Sequence, residues 1–121
     1  MDGVDLALTS SDRSISIFTS TLCGRYARAR PDALSRDLFL GMKRRRILEN
    51  RPVRLPAGQA QRVRVEGRIG GTPVHAEAYT LQRQPCIFDF VYLAAPERFD
   101  AGVEDFREMM RTLRLSGEGS S

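Results

Sequence analysis

Two cysteines, one histidine and a handful of carboxylates are the residues of this 121-residue chain whose types suit chemistry. Cys23 and Cys86 stand too far apart for a CxxC redox or zinc pair, which leaves one disulfide or two buried thiols open. With His75 the single histidine, and no cluster of Cys, His and Asp, neither a metal site nor another cofactor is expected. His75, with Glu66 and Glu77 nearby, could act as a general base. A cross-strand charge pair on an exposed sheet accounts for the same three residues. Asp89 falls between Ile87 and Val91, where an acid must find donors or take up a proton. It is either bonded to an arginine or backbone N–H, or a general acid or base in a small pocket beside Ala76 and Ala78. Gly67-Arg68-Ile69-Gly70-Gly71 belongs to a hairpin and does not open a helix, so it is no phosphate loop.

Charge is the other resource. The net charge is +4, yet residues 24–64 hold 12 basic and 3 acidic side chains. Such a surplus suits nucleic acid, an anionic surface or an acidic protein, and equally a solvated face. Its densest part is Lys43-Arg44-Arg45-Arg46. Tyr79, Phe88 and Tyr92 beside basic residues make a weak match to an RNA-stacking platform, without the aromatic strings of RNA-binding sheets.

These groups must be positioned by a fold of one domain, residues 1–121, with its ordered part at about 4–115. At this size about two-thirds of the unfolded surface is buried, enough for a real core. A composition of 41% hydrophobic and 28% charged residues excludes a wholly disordered chain. No apolar run approaches the ~20 residues of a membrane helix, and Met1-Asp2-Gly3 does not open a signal peptide.

Val4, Leu6 and Leu8 alternate as a strand, and Ile15, Ile17 and Phe18 continue as its hairpin partner. Asp32 after Pro31 is a helix N-cap, and Leu34, Leu38 and Met42 follow as one stripe. Lys43 to Arg46 then falls in the last turn, where cations suit the helix dipole, and Pro52 ends any continuation. Three strands follow: around Val63 to Ile69, Thr72 to Leu81, and Cys86 to Ala94. Gly70-Gly71 is the turn of the first hairpin. Phe99, Val103, Phe106, Met110 and Leu113 form a final amphipathic helix, with Glu104/Arg107 and Glu108/Arg111 at i, i+3.

Tight turns fix register. Pairing Ile69 with Thr72 sets Val65 opposite Ala76, Arg64 opposite Glu77 and Glu66 opposite His75. Pairing Leu81 with Cys86 sets Tyr79 opposite Phe88, His75 opposite Tyr92 and Ala78 opposite Asp89. One sheet face then collects Val63, Val65, Val74, Ala76, Ala78, Ile87 and Val91, and the Phe99–Leu113 stripe is its expected cover. The opposite face, with Arg64, His75, Glu77, Tyr79, Phe88, Phe90 and Tyr92, is either half-covered by the Leu34–Met42 helix or a binding surface. Cys86 and His75 lie about 20 Å apart in this register, which rules out a thiol–imidazole dyad.

The strand-strand-helix-strand-strand-strand-helix order, closed by Ala95-Pro96-Glu97-Arg98-Phe99 and the last helix, resembles the PsbP-like α/β/α sandwich. Cys86-Ile87-Phe88-Asp89-Phe90-Val91 and Val4-Asp5-Leu6-Ala7-Leu8 are most similar to its bacterial, often lipid-anchored branch. The resemblance implies an α+β domain, a mostly antiparallel sheet flanked by two helices. It implies a location in the cell envelope or periplasm, and with that a Cys23–Cys86 disulfide. It also implies a non-catalytic accessory module that binds a protein and meets a membrane only through a lipid anchor. The expected contact residues are His75, Tyr79, Phe88 and Tyr92 on the sheet, with Arg44, Arg45 and Arg46 beside them. Binding to nucleic acid or an anionic surface through residues 24–64, and a small enzyme using Asp89 or His75, are the alternatives.

Overall fold

A computed structural model describes residues 4–9, 14–23, 42–83 and 86–113. They form strands β1 (Val4–Thr9), β2 (Ile15–Cys23), β3 (Lys43–Leu55), β4 (Gly58–Ile69), β5 (Thr72–Arg83) and β6 (Cys86–Ala94). A 3-10 turn, Pro96–Arg98, then leads into helix α1, Phe99–Thr112. The six strands make one sheet in the order β1-β2-β6-β5-β4-β3, and every neighbouring pair is antiparallel. The N-terminal hairpin is present as β1 and β2. The expected first helix, 32–42, lies outside the described residues except for Met42, which is buried and precedes β3.

Gly70 and Gly71 take φ values of 58° and 83°, the left-handed conformation that a two-residue hairpin turn demands and glycine adopts without steric cost. The β4–β5 register follows from that turn. Ile69 faces Thr72, Val65 faces Ala76, Arg64 faces Glu77 and Glu66 faces His75.

The β5–β6 register differs from the sequence-based one by two residues. Both strands run on to Arg83 and Cys86, which pair, so Leu81 faces Phe88 and Tyr79 faces Phe90. His75 faces Ala94 and Asp89 faces Thr80. Strand β5 runs two residues further than expected while β6 begins at Cys86 as expected, which moves the pairing along by one pleat repeat. Because side chains alternate with period two, no residue changes face.

A larger correction concerns β3. Residues 43–46 do not end a helix but open a 13-residue strand at the sheet edge. An edge position also explains Pro52, since a missing N–H is tolerated on a strand with no outer neighbour among the described residues.

The helix sits on the face opposite to the expected one. Phe99, Val103, Phe106 and Met110 pack with Tyr79, Phe90, Tyr92 and Ala94, so α1 covers the aromatic face. Large rings give this face the apolar area to hold a helix, and each fully buried apolar side chain contributes about 1.5–3 kcal/mol. Two polar anchors fix the choice. The Tyr92 hydroxyl donates to the Phe99 carbonyl at 2.8 Å, and Arg107 of α1 reaches Glu77 of β5. Gly102 permits the close approach, since a Cβ there would stand 2.8 Å from the Tyr92 hydroxyl. The aliphatic face keeps its own cluster of Met42, Val65, Ala76, Ala78 and Val91.

Candidate protein-docking edge

Strand β3 carries six cationic side chains, Lys43, Arg44, Arg45, Arg46, Arg51 and Arg54, and one acid, Glu49. It departs from a plain ladder twice, between Lys43 and Arg46 and between Ile47 and Glu49. Within the first irregularity Arg44 adopts φ 53°, a left-handed conformation uncommon for a side chain of this size. Bulges re-aim side chains and strengthen local twist, and residues 43–46 around this one are all exposed. Ile47 and Leu48 follow at 54% and 43% exposure, the two large apolar side chains exposed among the described residues.

Ion pairs hold parts of this edge to the sheet. Arg46 meets Glu66 of β4 at 2.5 Å, and the same carboxylate lies 3.3 Å from His75 Nε2 on β5. Glu49 accepts from Arg62 at 2.9 Å and lies 2.6 Å from Arg51. The Arg62 hydrogen bond holds the Glu49 carboxyl below its ordinary range. Arg44 and Arg54 enter no ion pair among the described residues. Arg44 also lines an open cleft of about 210 Å³ with Glu66, Arg68, His75 and Pro96.

The residues singled out from sequence are dispersed. Tyr79 and Tyr92 are 3% and 0% exposed beneath α1, and Phe88 is half-buried against the same core. Tyr79 and Tyr92 are core residues, which corrects their expected place on a contact surface, and Phe88 packs against that core. Burial raises both phenol pKa values above the ordinary 10.0. His75 is partly buried, with its ring edge against Phe99 at 5.6 Å between centroids, and Arg64 lies over the same ring at 4.6 Å. Arg44, Arg45 and Arg46 are exposed, on a strand and not on a helix.

Asp89 is 3% exposed and accepts a 2.6 Å hydrogen bond from the hydroxyl of Thr80, the residue that the shifted register sets opposite it. It lies on the aliphatic face and His75 on the helix face, so no site contains both. Cys23 and Cys86 face each other across β2 and β6 and form a disulfide. Ile47 and Leu48 went unnoticed in the sequence because they follow a basic run read as a helix end. The available signal was the alternation of Val53 and Leu55 downstream, which marks a strand.

No protein-family model and no curated protein matches the chain. Among solved structures it is similar to PA94 from Pseudomonas aeruginosa, a protein of unknown function described as a candidate regulator. The TM-score is 0.72 at 13% identity, covering 95% of this chain and 84% of that one. It is also similar to the cyanobacterial PsbP, CyanoP, of Synechocystis sp. PCC 6803, with a TM-score of 0.62 at 13% identity over 91% of this chain and 72% of that one. Identities this low speak to architecture alone. The chain has a PsbP-like fold.

Proposed function

We propose that this chain is a non-catalytic accessory module that binds a protein partner along β3. The observation that carries the reading is a long, solvent-facing edge strand that exposes Ile47 and Leu48 together. Adjacent apolar side chains on an open strand edge are a liability unless something covers them, and strand edges are a common way for proteins to recognise extended segments. The likeness to a candidate regulator and to a PsbP agrees with an accessory or regulatory role. The Cys23–Cys86 disulfide supports a cell-envelope location, because such bonds persist in oxidising compartments. A place in the bacterial lipoprotein-associated branch of the fold belongs to the same proposal.

The test is site-specific photocrosslinking in cells that express the chain, with the crosslinker at Leu48 or, as a control, at exposed Glu108 on α1. A discrete protein adduct from Leu48 alone is the expected result. Adducts from Glu108 alone, or from neither position, would refute it.

A further inference from the structure

We infer that the partner presents to β3 an extended acidic segment, with apolar side chains against Ile47 and Leu48 and carboxylates against Arg44 and Arg54. This rests on the docking role proposed for β3 and specifies its occupant.

The argument is charge complementarity on an open edge. Among the described residues the strand has no neighbour on its outer side, so its outward N–H and C=O groups lack a ladder there. Six cations against one acid make it repel another basic strand, including the same edge of a second copy. A second copy of this chain is therefore a poor occupant. A single strand of nucleic acid would meet the cations but finds no exposed aromatic ring among the described residues, where Tyr79, Phe90 and Tyr92 are all buried. An acidic segment meets the apolar pair and the cations together, and can pair with the open backbone groups on either side of Pro52. Glu49 does not oppose it, because Arg51 and Arg62 already engage that carboxylate. Arg44 and Arg54 stand ten residues apart, about 33 Å at the usual strand rise, so the segment spans about ten residues.

Four fluorescent ten-residue probes would test this: alternating Glu-Val, alternating Lys-Val, the Glu-Val peptide N-methylated at every second residue, and a ten-nucleotide oligothymidylate. Fluorescence anisotropy should show saturable binding of the Glu-Val peptide, weaker at higher salt, with the amide shifts it causes by NMR confined to residues 43–55. Reversing both cations, Arg44→Glu with Arg54→Glu, should raise its Kd by about tenfold or more. Equal binding of the Lys-Val or N-methylated probe, or tighter binding of the oligothymidylate, would overturn the inference. So would absence of binding, or a dimer by sedimentation that occupies β3. An adduct from Leu48 in cells alongside a negative peptide result would sink the acidic segment and leave the docking role standing. Absence of both would sink the two together.

Discussion

Arg107 of α1 grips Glu77 of β5 with two hydrogen bonds of 2.9 and 2.8 Å, on a carboxylate that has no solvent exposure. The Tyr79 hydroxyl donates to the same carboxylate at 3.0 Å, and Arg107 also bonds Glu104 on its own helix. The bond to Glu77 pushes the guanidinium pKa further above its ordinary range. This pair ties the helix to the aromatic face of the sheet.

Removing the cation strands a buried charge. Arg107→Met should therefore cost about 3–5 kcal/mol in urea unfolding, while Glu77→Leu with Arg107→Met should recover most of that loss. A single variant within about 0.5 kcal/mol of the native chain would mean that the pair does not anchor the helix.

Much of this arrangement was readable beforehand, and the failures have physical causes. Gly70-Gly71 dictates the β4–β5 register, and the Phe99–Met110 spacing dictates the helix. The face that helix covers is not the one the residue types suggest. Arg64, Glu77 and His75 made the aromatic face look wet, whereas Arg64 lies over Phe99 and Arg107 neutralises Glu77. Strand β3 was missed because its irregularities break the period-two pattern and four consecutive cations imitate a helix end. Nothing local distinguishes a basic helix terminus from a bulged edge strand. The difference lies in the pairing with β4.

Helix and sheet meet closely at Gly102, as the start of β3 meets β4 at Gly67. A Cβ at Gly67 would stand 2.5 Å from the Met42 side chain and 2.9 Å from the Lys43 carbonyl oxygen. Gly102→Ala and Gly67→Ala should each lose about 1–3 kcal/mol by thermal or urea unfolding. Unchanged stability in both would contradict the packing described.

Stability should fall in alkali. The buried phenols of Tyr79 and Tyr92 keep their protons to higher pH than in the unfolded chain, so above about pH 10 the native state binds more protons. Their contribution is complete below the ordinary phenol pKa and is lost as pH rises through the raised values. Urea unfolding between pH 9 and 11 should show this decline, and Tyr79→Phe with Tyr92→Phe should flatten it. An equally steep decline in the double variant would place its origin elsewhere.

The disulfide closes a loop between residues 63 apart in sequence. Reduction, or Cys23→Ser with Cys86→Ser, should cost up to about 4 kcal/mol if the unfolded chain gains the entropy expected for such a loop. Mass spectrometry should find alkylation of both thiols only after reductant. Alkylation without reductant would mean that the bond is absent from the isolated protein.

The most direct test of the docking edge is quantitative co-purification of the crosslinked partner with an Ile47→Ser, Leu48→Ser variant beside the native chain. Partner recovery should drop roughly tenfold, while unfolding stability stays within about 0.5 kcal/mol because both side chains face solvent. Full recovery with the edge so altered, or loss only when the outer face of α1 is changed at Glu104 and Glu108, would contradict the account.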